Sequence, residues 1–326
     1  MLRLKSHLKS LAQLLPASFY ASLCMVALPL VSSAQQTIAG VQVFPANAVW
    51  NTKISTLPVH ANSSSWVNAL SPSSHFHPDW GSPLEYGIPY NIVQDAKRPL
   101  RFYNVTFDYE DESDVGPYPI SKKLKIEGNN WNINKNDGDR HVLMIHPPTK
   151  TLYELFYTRN KGSKYFAGSG AIFHLDSNSL RPNTWTSADA AGLPIFPLLV
   201  NYDEAASGTI KHALRFTGRM MNGYIWPARH QAGTQTAGAP PFGARFRLKA
   251  SFNTSGFSTT NKAILNALKE YGMFYCDGGS NWYVTGASDP RWNDDDLNAL
   301  KALTGNDFEA VDESSLMVNP DSAATN

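Results

Sequence analysis

Between Gly138 and His230 the chain concentrates side chains that can move protons and hold charge: Asp139-Arg140-His141, Glu154, His174 with Asp176, Asp203-Glu204, His212, Arg215 and Arg229-His230, interleaved with Trp185, Tyr202 and Trp226. Carboxylates, imidazoles, guanidinium groups and aromatics that recur on short β-type runs are the makings of a polar cleft on a β scaffold. The chemistry such a cleft supports most simply is glycosidic bond cleavage, which needs two carboxyl groups across the scissile bond, one protonated and one ionised. Glu154, Asp176, Asp203 and Glu204 are the candidate carboxyls, with His174 and His212 as proton carriers. Trp185 and Trp226 are candidate sugar platforms, and Arg140, His141, Arg215, Arg229 and His230 are candidate substrate-binding groups. Facing carboxyls about 5 to 5.5 Å apart would give retention, and a wider gap inversion.

Local patterns sharpen these assignments. Leu152, Glu154 and Phe156 alternate onto one strand face, so apolar neighbours would raise the Glu154 pKa; the alternative is an exposed face close to Arg159 or Lys161. Ile172, His174 and Asp176 also share a face, which sets an imidazole beside a carboxylate as an acid–base pair or as a structural hydrogen bond. His212 stands among Ile210, Leu214 and Phe216, the usual setting of a satisfied core histidine, with Asp203 and Glu204 a short loop away. Asp189 closes a Thr186-Ser187-Ala188-Asp189 stretch that reads as a brief helix start rather than a catalyst.

Two other function classes compete. A polysaccharide lyase would use Arg140, Arg215 or Arg229 to neutralise a uronate and His141, His174, His212 or Tyr202 to move the proton. A non-catalytic glycan-binding or envelope protein would depend on Trp226 and tolerate loss of the carboxylates. A serine hydrolase is disfavoured, since no Gly-x-Ser-x-Gly elbow occurs. No metal ligand set is assigned. His75, His77 and Asp79 are interrupted by Pro78, and the acidic run Asp108 to Asp114, the one place where calcium is worth considering, has Ser113 where an EF-hand loop needs glycine. A polysaccharide or oligosaccharide is therefore the expected partner and no cofactor is expected.

The elements that must position these residues read as mainly β: a β-sandwich or jelly-roll-like single domain over residues 35–317, with one or two peripheral C-terminal helices. Strands are expected over 35–43, 101–109, 141–146, 151–158, 171–175, 210–217 and 246–252, with another ending near Tyr224. Residues 141–158 form a hairpin across Pro147-Pro148, and residues 273–285 a second across Asp277-Gly278-Gly279-Ser280. Five prolines between residues 55 and 90 predict a loop layer. Helices are expected over 259–271 and 294–303, and residues 318–326 are expected to be a flexible tail.

The first 34 residues read as a secretory signal peptide: Arg3, Lys5 and Lys9, an apolar stretch from Phe19 to Val31, then Ser32-Ser33-Ala34. Removing them takes Cys24 and three basic residues, so the balance passes from 28 basic against 27 acidic to 25 against 27, about −2. That charge gives no reason to approach nucleic acid or anionic lipid. Cys276 would be left without a disulfide partner. The reading is a monomer, secreted or periplasmic, with no membrane association after signal cleavage.

Several phrases are long and specific: Gly138-Asp139-Arg140-His141-Val142, Ala167 to Phe173, Trp185 to Ile195, His212 to Thr217 and Tyr224 to His230. In them the chain resembles a widespread group of secreted bacterial proteins with some fungal members. The resemblance spans most of the mature chain and implies a single folded unit. It brings no catalytic residues with it.

Overall fold

The hairpin that carries Glu154 is apolar on both faces, and this decides where it sits. In the computed structural model, which describes residues 35–94, 99–131 and 138–326, the strands in chain order are β1 (Thr37–Ile38), β2 (Val41–Gln42), β3 (His77–Asp79), β4 (Tyr90–Ile92), β5 (Val105–Phe107), β6 (Val142–His146), β7 (Thr151–Phe156), β8 (Arg159–Lys161), β9 (Lys164–Ala167), β10 (Ser169–His174), β11 (Leu214–Gly218), β12 (Arg245–Leu248), β13 (Met273–Gly278), β14 (Tyr283–Thr285) and β15 (Phe308–Val311). The helices are α1 (Ser63–Ala69), α2 (Tyr202–Ala206), α3 (Thr259–Glu270) and α4 (Asp294–Asn298). The signal peptide expected over residues 1–34 lies outside the described residues. From residue 35 on, the chain makes one compact unit, and among the described residues no helix is long and apolar enough to cross a membrane.

The fold is mainly β and sandwich-like, as expected, with α3 and α4 in the C-terminal part. A four-stranded sheet runs β10-β7-β6-β4 and a six-stranded sheet β15-β12-β13-β11-β14-β3, with a three-stranded sheet β5-β9-β8 and the pair β1-β2 beside them. Four pairings are parallel: β11 with β13, β14 with β3, β4 with β6 and β5 with β9. On β6, Leu143 and Ile145 enter the main core while Val142 and Met144 enter a smaller one built with Val105, Tyr118 and Tyr165. Every residue of β6 is buried, because successive side chains point to opposite faces and Val142 to Ile145 form a continuous apolar run, which leaves neither face for water.

α3 starts at Ser258, whose hydroxyl accepts from the Asn261 amide at 3.0 Å. Asn261, Ala263, Ile264, Leu265, Ala267 and Leu268 are its buried residues. Gly272 ends it with φ +67°, where a Cβ would stand 2.3 Å from the Phe246 carbonyl oxygen. That stop feeds the chain directly into β13, at the centre of the six-stranded sheet.

Other expectations are corrected. Residues 273–285 are not a hairpin: β13 and β14 lie on opposite sides of β11, parallel and antiparallel to it. Residues 186–189 are not a helix start but a turn tied to its own side chains, with the Asp189 amide donating to Ser187 Oγ at 2.9 Å. Tyr202, Asp203 and Glu204 are helical, the expected strand at 101–109 is ordered as strand only over β5, and no strand ends at Tyr224. The last residues are held down: the Val49 amide donates to the Ala323 carbonyl at 2.8 Å, the Ala323 amide to Asn178 at 2.7 Å and the Thr325 amide to Asn47 at 2.8 Å. Ala323 is fully buried. A polar tail becomes ordered here because its partners are the far end of the chain and the buried Arg229.

Candidate functional site

β11 and β13 run side by side, and their register slips between Phe216 and Thr217, so that Phe216 pairs with Tyr275 but Thr217 with Asp277. Cys276 is the extra residue. Paired residues share a face of a sheet, and without the bulge Asp277 would oppose Gly218 on the face away from Arg215; the bulge turns Asp277 onto the face of Arg215 and Thr217.

Arg215 is buried, and its guanidinium is shared. Nε and Nη2 donate to Asp189 Oδ2 at 3.1 and 2.6 Å, Nη1 donates to Thr285 Oγ1 at 2.9 Å, and Asp277 Oδ2 lies 3.6 Å from Nη2. Burial pushes the Asp189 carboxyl upward, against the guanidinium and the Ala191 amide, which donates to Oδ1 at 3.0 Å. With three N–H donors on its two oxygens, Asp189 is the ionised partner of Arg215. Asp277 is then the second carboxyl on a cation already neutralised. Only 24% of its side chain is open; burial first, and the Asp189 charge second, lift it to about 7.

Above this group opens a cavity of about 420 Å3 lined by Asp277, Asp139, Glu112, Tyr109, Phe156 and His230 among others, a size that suits a small ligand. Asp139 is exposed at the mouth. His230 donates from Nδ1 to the Ala190 carbonyl at 2.8 Å, which leaves Nε2 3.5 Å from Glu112 Oε2. Glu112 in turn accepts from the Thr186 amide at 3.0 Å, so it ties the 110–114 segment to the 186–190 turn. Tyr109 is half exposed on the rim.

Behind the wall, His141 is buried with Nδ1 at 2.8 Å from Glu127 Oε2 and Nε2 at 3.0 Å from the Ala188 carbonyl. Neither partner can donate, so the ring carries both protons. Burial opposes that charge, but the Glu127 carboxylate outweighs it and holds His141 at about 9. Burial likewise opposes ionisation of Glu127, and the imidazolium leaves it below the ordinary carboxyl value. His141 thus fixes the 186–190 turn through Ala188 rather than facing a ligand.

Of the residues singled out from sequence, Arg215, His230 and His141 meet at this site. Glu154 lies one layer below, fully buried; its carboxyl accepts from the amides of Ile195, at 3.0 and 2.9 Å, and Phe196, at 2.8 Å. These are the free N–H groups at the start of a 3-10 turn at Phe196–Leu198. Desolvation still pushes Glu154 up to about 7, in keeping with its apolar face, but it is closed off from any ligand.

The remaining residues are dispersed. His174 and Asp176 are exposed, and Asp176 sits 3.4 Å from Lys150. Asp203 is a surface partner of Arg291 at 2.7 Å. Glu204 and the buried His212 form their own pair at 3.3 Å, with the other His212 nitrogen on the Ala213 carbonyl at 2.8 Å. Arg140 is buried and donates from Nε to the Thr158 carbonyl. Arg229 donates to the carbonyls of Arg181 and Pro320 and to Asp321, clamping the C-terminal segment. The Trp226 indole donates to Ser322 at 2.9 Å, and Trp185 is half buried, with the Arg181 guanidinium 5.5 Å over its ring. His75 and His77 are bound separately, to the Lys301 carbonyl at 2.7 Å and the Tyr86 hydroxyl at 2.6 Å. Among the described residues no three acidic, histidine or cysteine side chains converge as a metal site.

Asp277, Asp189, Asp139, Glu112 and Glu127 carry the site and were not among the catalytic candidates. Asp139 adjoins Arg140-His141 and Asp189 lies within the Trp185 to Ile195 phrase, so proximity to the selected residues was the available signal. Comparison of the chain with protein-family models, with curated proteins and with solved structures finds no match.

Proposed function

We propose that the chain is a carbohydrate-active enzyme, a glycoside hydrolase, with Asp277 as general acid and Asp139 as the second carboxyl of the pair. The observation that carries this reading is that one cavity is lined by two carboxyls in unlike settings, Asp277, largely buried and raised by burial and the Asp189 charge, and Asp139, exposed. Two carboxyls in unlike environments are what hydrolysis of a glycosidic bond asks for. Arg215 acts as a positioning residue: it anchors Asp189, and Asp189 keeps Asp277 protonated. Tyr109 and Phe156 offer apolar surface to a sugar ring.

The lyase reading has less support, because a uronate needs an available cation. Arg215 is taken up by Asp189 and Thr285, and Arg229 by the C-terminal segment. Arg140 is buried with Nε on the Thr158 carbonyl, and none of the three is among the described residues that line the cavity. Export with loss of residues 1–34 and action as a monomer on an extracellular polysaccharide complete the proposal, and N-terminal sequencing of exported protein tests the cleavage.

Incubation of the mature protein with a panel of polysaccharides and oligosaccharides, followed by mass analysis, tests the reaction. Products that have gained one water support hydrolysis. Unsaturated products without that gain replace it with elimination, and binding without products leaves a glycan-binding protein.

A further inference from the structure

We infer that the ligand of this cavity is a saccharide bearing a free ammonium group, an amino sugar rather than a neutral or anionic one. The inference rests on the saccharide-binding part of the proposed function and adds the substrate class. Its basis is the unbalanced charge of the cavity. Arg215 and Asp189 cancel beneath the floor, as do His141 and Glu127 behind the wall. The other carboxyls that line the space are Asp277, Asp139, which has no ion-pair partner among the described residues, and Glu112, whose carboxyl has His230 Nε2 at 3.5 Å while its backbone carbonyl accepts from Arg181, itself paired with Asp114. No lysine or arginine is among the described residues that line the cavity.

A concave, partly desolvated site lined by one sign of charge focuses its field on a ligand of the other sign. An ammonium brings three N–H donors and the missing positive charge, and it forms charge-assisted hydrogen bonds with carboxylates. The exposed ring of Tyr109 on the rim gives the same cation a second favourable surface. A uronate would meet the Asp139 and Glu112 carboxyls with His230 as the one basic side chain among the described lining residues, and an N-acetylated sugar would place a neutral, bulkier amide against Asp139 and Glu112. The cavity volume of about 420 Å3 accommodates one to two sugar rings.

Calorimetric titration with glucosamine tetramer, N-acetylglucosamine tetramer and glucose tetramer tests this, using the Asp277→Asn protein to prevent turnover. The glucosamine tetramer is expected to bind about tenfold more tightly than the other two at low ionic strength, with the gap narrowing as salt is raised. Adding Asp139→Asn and Glu112→Gln is expected to reduce the preference to about threefold or less. Equal or tighter binding of a neutral tetramer, no binding of any of the three, or a preference untouched by the two carboxyl substitutions would each overturn the inference. The two proposals fail separately: wild-type cleavage of neutral glycans without preference removes this one and keeps the hydrolase. Selective binding of the amino tetramer with no product from any glycan does the reverse.

Discussion

Replacing Asp189 by asparagine keeps the shape of the site and removes one charge, so it isolates what that charge does. Asp189 and Asp277 both place an oxygen on Arg215 Nη2, at 2.6 and 3.6 Å, so the two oxygens are within about 6 Å of each other. At an effective dielectric of about 20, two unit charges at that separation interact by about 3 kcal/mol, equivalent to about 2 pK units. In Asp189→Asn the repulsion disappears and Asp277 becomes the counter-ion of Arg215, so its carboxyl should fall from about 7 to about 5. The sign for stability follows. In the wild type the folded-state value of Asp277 stands above the unfolded one, so its contribution is complete below about pH 4 and is lost as pH rises through about 7. The variant loses less over the same range. Breaking a buried pair costs about 3 to 5 kcal/mol, and because Asp189, itself raised by burial, and Asp277 both hold their protons longer in the folded wild type, that deficit should be largest at low pH and should shrink as pH rises through about 7. Urea unfolding at several pH values, with a carboxyl-carbon titration of Asp277 by NMR, measures both quantities. A deficit independent of pH, or an Asp277 signal still titrating near 7, would refute the coupling.

Two further outcomes follow from the same structure. Glu154→Gln keeps an oxygen for the Ile195 and Phe196 amides and removes the titration; since the folded-state value of Glu154, about 7, lies above the unfolded value, the wild type loses stability between about pH 4 and 7. The variant should gain about 3 kcal/mol relative to wild type on going from pH 4 to pH 8, read from denaturant midpoints, and parallel curves would contradict this. Deleting residues 319–326 removes buried Ala323 and its backbone hydrogen bonds to Val49 and Asn178 and strips Arg229 of two acceptors. A loss of about 2 to 4 kcal/mol is expected, measured by thermal unfolding, and an unchanged melting temperature would mean the segment is not docked.

Local rules carried the sequence reading where partners are close along the chain. The β6–β7 hairpin, the span of α3 and, of the two settings considered for Glu154, the apolar one all follow from spacing within a dozen or so residues. The site did not, because it depends on register. Asp277-Gly278-Gly279 has the composition of a hairpin turn, and only the parallel pairing of β13 with β11, with its bulge at Cys276, turns Asp277 toward Arg215. His174, Asp176, Asp203 and Glu204 failed to join it for the same reason: a favourable strand face or a nearby loop says nothing about which sheet edge an element finds. The C-terminal segment shows the converse, since its polar composition suggested fraying while its fixed partners lie near residues 47, 178 and 229.

The general-acid role of Asp277 is tested most directly by comparing wild type and Asp277→Asn for product formation on a glycan that the wild type cleaves, across pH 4 to 9. The account predicts a wild-type rate that declines as pH rises through about 7, and a variant slower by about 10² to 10⁴-fold at every pH with its fold intact. A variant that cleaves as fast as wild type, with the same pH dependence, would contradict it.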